Sequence, residues 1–118
     1  MLPARNRMRR SAEFGATVSR GVRVAQPDVV VHALRDDVDA SGPRIGLVVS
    51  KAIGNAVERH RVSRRLRHAA RAVLPYLEPT DRVVIRARPS CRGALSARLE
   101  RQLTTALERA TARLGTSS

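Results

Sequence analysis

Residues 51–71 read KAIGNAVERHRVSRRLRHAAR, and this stretch predicts the basic helix around which the chain is organised. Asn55 is a favoured N-cap residue, and Glu58 can reach back to the amide of Asn55, as in a capping box. Pro75 cannot continue a helix, so the predicted range is 56–73. At about 100° per residue the apolar side chains share one stripe. It consists of Val62, Leu66, Ala69, Ala70 and Val73, and it predicts a helix lying on a core.

The opposite side of the predicted helix is cationic. Its residues are Arg61, Arg64, Arg67, His68 and Arg71, with Arg65 beside them and Arg59 in the first turn. Glu58 is the only acidic residue between positions 51 and 71. A merely solvated face normally mixes both signs, because like charges one turn apart repel each other. We therefore interpret this face as a binding surface for a polyanion rather than as a solvated surface.

Several sequence motifs before, within and after the predicted helix indicate which class of polyanion-binding protein this is. They are RIGLVVSK at 44–51, IGNAV at 53–57, RHRVSRRLR at 59–67, RNRMRRSAEF at 5–14 and VIRARP at 84–89. In this order they closely resemble the bacterial ribonuclease P protein family, and the similarity covers nearly the whole chain. The resemblance implies a protein subunit that assists a large catalytic RNA. That RNA binds Mg²⁺ and removes the 5′ leader from precursor tRNA.

The resemblance also implies two groups of binding residues. Those expected to dock on the catalytic RNA are Asn55, Arg59, His60, Arg61, Arg64, Arg65, Arg67 and Arg71. Those expected to line a cleft for the single-stranded leader are Phe14, Val18, His32, Ser50, Lys51 and Arg88. No residue is expected to be catalytic or to bind a metal, since the Mg²⁺ would be held by the RNA subunit.

Three positions depart from the family pattern. His60 replaces an asparagine between two arginines, Ala52 replaces a common second lysine, and Val18 stands where an aromatic residue is frequent. His60 can still donate a hydrogen bond, so RNA docking should survive. Leader binding should depend more on Phe14 and on charge, because Val18 cannot stack on a base.

Two of the expected cleft residues have a structural alternative. Phe14 could instead be a buried core residue, and His32 could be a hydrogen-bonded histidine at a sheet surface.

Composition limits the other possibilities. With 118 residues the chain is long enough for one domain, and its net charge of +13 predicts a nucleic-acid partner. No apolar run approaches the ~18 residues of a membrane span, and no signal peptide is visible, so we expect a cytoplasmic protein without membrane contact. Cys91 is the only cysteine, which leaves neither an internal disulfide nor a cysteine-based zinc site.

The predicted fold is α+β, in the order αβββαβα. Strands are expected at 22–25, 29–34, 45–50 and 82–88, with further helices at 12–20, capped by Ser11, and at 94–114, ended by Gly115. These elements form a two-layer sandwich with a four-stranded mixed sheet. The resemblance implies an arrangement like domain 2 of ribosomal protein S5. Two parallel central strands would then be joined by a left-handed βαβ crossover, although about 98% of such crossovers are right-handed.

The expected domain covers residues 1–114, of which 1–10 form a flexible basic segment, and 115–118 form a disordered tail. The loop at 35–43 holds Asp36, Asp37 and Asp39 and is predicted to be a solvated hairpin connection that faces away from RNA.

Three other functions are alternatives to that of a ribonuclease P subunit. A structural RNA-binding protein of ribosomal type, with no role in cleavage, fits the composition equally well, and only the ordered motifs disfavour it. A nuclease that uses His60 or His68 lacks the usual acid and base pair. A DNA-binding helix is disfavoured because no helix-turn-helix spacing is evident. The expected partners are the catalytic RNA and precursor tRNA, bound by a monomer, with no DNA.

Overall fold

The predicted order of helices and strands is confirmed by a computed structural model, which describes residues 2–36 and 38–116 and the side chains up to Leu114. The helices are α1 (Ser11–Arg20), α2 (Ala56–Val73) and α3 (Ser96–Thr116). The strands are β1 (Val22–Ala25), β2 (Val29–Arg35), β3 (Arg44–Val48) and β4 (Asp81–Ala87). Short 3₁₀ helices occupy Ala4–Asn6, Lys51–Ile53, Leu74–Tyr76 and Pro89–Gly93.

Two predicted helix ends are corrected. Ser11 is the first residue of α1 rather than its cap, and Arg10 holds the cap position without a side-chain hydrogen bond. Gly115 does not end α3, because the helix continues to Thr116. Of the predicted disordered tail, Ser117 and Ser118 lie outside the described residues.

The sheet has the strand order β1-β2-β4-β3. β2 pairs antiparallel with both β1 and β4, whereas β3 pairs parallel with β4, and α2 connects the two parallel strands. The predicted mixed sheet with one βαβ unit is therefore confirmed. Its two parallel strands are not both central, however, because β3 lies at the edge. The left hand of the crossover stays a prediction.

The two faces of the sheet have different covers. Val29 and Val31 of β2 belong to the core, together with Val83 and Ile85 of β4. This core face is covered by α2 and α3, whose inward side chains include Leu66, Leu99 and Leu103. Since successive side chains alternate, His32, Val84 and Arg86 point to the opposite face, over which α1 lies.

The N-terminal segment, which was predicted to be flexible, is packed against β3 over the residues described. The amide of Met8 donates to the carbonyl of Ile45 at 2.9 Å, and Asn6 Nδ2 donates to the carbonyl of Pro43 at 2.8 Å. Leu2 and Met8 are only 2% and 5% exposed. The physical reason is the edge position of β3, whose unpaired backbone groups need partners.

The loop between β2 and β3 is also corrected. It is not a hairpin, because β2 and β3 are not neighbours, and it is tied to the body of the domain. Asp39 Oδ2 lies 3.2 Å from Arg82 Nη2 and 3.9 Å from Arg44 Nη1. Hydrogen bonds from Ser41, together with the charge of Arg82, lower the pKa of Asp39 to about 2. Asp37 of the predicted acidic cluster lies outside the described residues.

Candidate RNA-binding surfaces

The start of α2 is held by the predicted capping box. Asn55 Oδ1 accepts from the amide of Glu58 at 2.9 Å, and Glu58 Oε1 accepts from the amide of Asn55 at 3.2 Å. Gly54 has a φ of 151°, and a Cβ there would lie 2.6 Å from Glu58 Oε1, so this turn requires glycine. Arg92 Nε lies 3.1 Å from Glu58 Oε2 and balances its charge. Because Asn55 Oδ1 accepts the capping hydrogen bond, Nδ2 is the polar side-chain atom of Asn55 outside the capping box.

The predicted apolar stripe of α2 is fully buried, and this orients the cationic face outward. His60, Arg61, Arg64, His68 and Arg71 are exposed, whereas Arg59, Arg65 and Arg67 are half-buried. Arg65 has a structural contact as well, because its Nη2 donates to the carbonyl of Arg92 at 2.9 Å.

A cationic cavity of about 420 Å³ lies between α2 and the start of α3. It is lined by Arg64, Arg65, Arg67, His68 and Ser96. Three of these residues, Arg64, Arg65 and Arg67, were predicted to dock on the catalytic RNA. His68 was predicted only as part of the cationic face, and Ser96, the first residue of α3, was not predicted. Planar guanidinium groups converging on one depression suit bidentate contacts with phosphate oxygens.

Phe14 lies over β3, on the face of the sheet covered by α1. Its ring is close to Gly46, because a Cβ at position 46 would be 2.5 Å from both Cε1 and Cζ of Phe14. The ring is half-buried, so it is neither a fully buried core side chain nor an isolated exposed one. Val18, one turn further along α1, is 45% exposed.

His32 is placed on the same face as Phe14 by the register of the strands. It pairs with Arg23 of β1 and Val84 of β4, and Val84 in turn pairs with Gly46. The imidazole is 7% exposed, and its buried Nδ1 has no hydrogen-bond partner. Burial, and then the charges of Arg23 and Arg86, lower the pKa of His32. The imidazole thus lies beside two exposed guanidinium groups, whose charges disfavour its protonated form.

Arg23 and Arg86 are the residues that sequence reasoning missed. Strand alternation puts Arg86 on the same face as Arg88, so a search for cations along β4 would have found it. Arg23 had no such signal, because its place opposite His32 depends on the pairing of β1 with β2.

The remaining predicted cleft residues meet at one end of the sheet. Parallel strands bring their carboxyl ends to the same edge, so Ser50 and Lys51 after β3 lie beside Arg88 after β4. Ser50 and Lys51 are exposed, and Arg88 is half-buried. Besides this cluster, the exposed or half-buried side chains on this side of the domain include Phe14 and Val18 of α1, Arg23 of β1 and Arg86 of β4. We call this group of residues, together with the cluster, the sheet cleft.

The acidic side chains near these surfaces are paired with arginines. Glu13 Oε2 accepts from Arg44 Nη1 at 2.7 Å, and Arg35 Nε lies 3.0 Å from Asp81 Oδ1.

Within residues 2–36 and 38–116, no three histidine, cysteine or acidic side chains are grouped closely enough to hold a metal ion. Over the same range, none of the helices has the length and apolar character needed to cross a bilayer.

Comparisons with known proteins agree on one family. The family model described as Ribonuclease P matches residues 2–111. A protein of Mycolicibacterium vanbaalenii named ribonuclease P protein component is 67% identical over all of both chains. A protein of Mycobacterium avium with the same name is 62% identical and covers 98% of this chain and 99% of its own.

Solved structures show the same fold at lower identity. The ribonuclease P protein of Staphylococcus aureus aligns with a TM-score of 0.75 at 24% identity, over 89% of this chain and 94% of its own. That of Thermotoga maritima aligns with a TM-score of 0.73 at 21% identity, over 89% and 97%.

Proposed function

The chain belongs to the ribonuclease P protein family, and from that premise we propose that its two cationic surfaces bind two different RNAs. The α2 face binds the catalytic RNA, and the sheet cleft binds the single-stranded 5′ leader of precursor tRNA. As the protein subunit of ribonuclease P, the chain acts in tRNA processing, and the protein alone is not the catalyst. We further propose that it works as a monomer in the cytoplasm.

The observation that carries the proposal for the α2 face is the cavity beside it. Arg64, Arg65 and His68 project from α2 toward one depression, with no acidic residue among its lining side chains. Helical RNA offers a regular array of phosphates that proteins recognise by shape and backbone rather than by sequence. A rigid, capped helix with several arginines fits such an array.

The sheet cleft suits a single strand because it combines an aromatic ring with flanking cations. Stacking of one base on an aromatic side chain contributes about 1–3 kcal/mol, and arginines along the path contact the phosphates. Phe14 supplies the ring, and Arg23 and Arg86 supply the cations. Since Val18 cannot stack, we expect Phe14 to carry most of the base contact.

We expect Phe14→Ala to weaken the binding of precursor tRNA by the reconstituted holoenzyme about 5- to 150-fold, because one stacking contact is lost. The binding of mature tRNA, which has no leader, should not change. Equilibrium binding with both RNAs at one salt concentration measures the difference. An equal loss for both RNAs would contradict the assignment of Phe14 to the leader.

The catalytic Mg²⁺ is proposed to be held by the RNA subunit. Three of the acidic side chains, Glu13, Asp39 and Asp81, are paired with arginines rather than grouped as metal ligands. The metal supplies charge stabilisation at the scissile phosphate. The protein's own residues hold the leader and neutralise phosphates, so less Mg²⁺ is needed for screening.

We therefore expect cleavage of precursor tRNA at low Mg²⁺ only when the catalytic RNA and the protein are both present. The Mg²⁺ concentration at half-maximal rate should fall when protein is added to the catalytic RNA. A titration of Mg²⁺ against initial rate measures the shift, with the protein alone as the control. An unchanged midpoint would favour a structural RNA-binding protein without a role in cleavage.

A further inference from the structure

Gly46 is a glycine in the middle of a strand, where glycine normally weakens a sheet. It lies in β3, between Ile45 and Leu47, and its backbone pairs with Val84 of β4. Glycine at such a position often marks a close approach by another group. Here the close group is the ring of Phe14, since a Cβ at residue 46 would be 2.5 Å from two ring carbons and 3.1 Å from Met8 Sδ.

The helix that carries Phe14 is fixed independently of the ring. Glu13, the residue before it, accepts from Arg44 Nη1 at 2.7 Å and lies 3.5 Å from Arg82 Nε. Arg82 is 2% exposed and also donates to the carbonyl of Asp39 at 2.9 Å. Further along α1, Thr17 is 1% exposed. The backbone of α1 therefore cannot easily retreat from the sheet.

We propose that Gly46 is a positioning residue of the leader site, and that its missing side chain provides the space in which the Phe14 ring lies. This inference rests on the proposed binding of the leader by Phe14. A methyl group at residue 46 would occupy the place of the ring edge. Because α1 is held by its ion pairs, the ring would have to rotate away from its position over β3. Met8 can adapt, since its side chain is unbranched and flexible.

The test compares four reconstituted holoenzymes with the unmodified one. They contain Gly46→Ala, Phe14→Ala, the double variant Phe14→Ala/Gly46→Ala, and the control Gly15→Ala. Gly15 is next to Phe14 in α1, and a Cβ there meets no atom within 4 Å. For each holoenzyme, dissociation constants are measured for precursor tRNA and for the same tRNA without its leader. Thermal unfolding of each free protein is measured in parallel.

Gly46→Ala should reduce the preference for precursor over mature tRNA by about fivefold or more, the lower end of the loss expected for a stacking contact. The control should keep the full preference. In the Phe14→Ala background, Gly46→Ala should cause no further loss, because the ring through which it acts is gone. The double variant should also unfold at a higher temperature than Gly46→Ala, since the overlap is relieved.

The outcomes separate this inference from the proposed function. If Phe14→Ala leaves the preference intact, the leader assignment itself fails, and the inference fails with it. If Phe14→Ala removes the preference but Gly46→Ala does not, only the role of Gly46 is overturned. A loss of equal size from Gly46→Ala with and without Phe14 would also overturn it. If Gly46→Ala does not fold, the double variant should fold again, because the overlap with the Phe14 ring is removed. A double variant that also fails to fold would contradict the role of Gly46.

Discussion

Replacing Arg61 and Arg64 together by glutamine is expected to weaken the binding of the protein to the catalytic RNA by about 100-fold. Both side chains are exposed on the cationic face of α2, and Arg64 lines the cavity beside α3. A hydrogen bond between charged groups contributes about 1.5–3 kcal/mol, so two lost phosphate contacts amount to at least about 3 kcal/mol. Filter binding or calorimetry at fixed salt measures the loss.

Salt dependence gives this prediction a second readout. Each phosphate that the protein neutralises contributes about 0.7–0.9 to the slope of log K against log salt. The double variant should therefore lose about 1.4–1.8 from that slope. The matched control is Arg101→Gln with Arg109→Gln, which removes the same charge from the exposed side of α3. If the control weakens binding equally, net charge rather than the α2 face determines affinity.

Arg82→Ala is expected to lower the free energy of unfolding by about 2–5 kcal/mol, because it removes a large buried side chain and the donor on which several backbone carbonyls depend. The guanidinium is 2% exposed and lies 3.2 Å from Asp39 and 3.5 Å from Glu13. It also donates to the carbonyls of Pro79 and Asp81. It thereby connects α1, β4 and the loop before β3. Urea unfolding followed by circular dichroism at pH 7 measures the change.

Arg20→Ala provides the comparison for this variant. Arg20 is exposed at the end of α1, so its replacement should change the free energy of unfolding by no more than about 0.5 kcal/mol. The slope of free energy against urea should stay constant across all three proteins, which would show that the unfolded states are comparable. A loss below about 1 kcal/mol for Arg82→Ala would mean that the contacts of Arg82 with α1, β4 and the loop before β3 are not a major source of stability.

The features predicted correctly from sequence are those determined by nearby residues. The range of α2, its capping box and its buried stripe were all confirmed. Capping involves residues three apart, and the apolar stripe repeats every helical turn, so both can be interpreted without knowing the fold. The position of the cationic face of α2, opposite its apolar stripe, follows from the same helical repeat.

The errors and omissions concern contacts between distant parts of the chain. The edge position of β3 and the packing of the N-terminal segment along it were missed, as was the tethering of the loop at 35–43. Each depends on which strands become neighbours. Asp39, for example, is 43 residues from Arg82 in sequence, and no local pattern indicates that pair.

The sequence by itself determined the family, the order of helices and strands, and the cationic face of α2, because caps, periodicity and charge are local properties of the chain. Only the tertiary structure decided how the sheet cleft is built. Strand register places Arg23 opposite His32, and the packing of α1 on the sheet brings the ring of Phe14 close to Gly46 of β3. Register and close approach follow from the packing of the whole domain, since a shift of one residue would turn each side chain to the other face of the sheet.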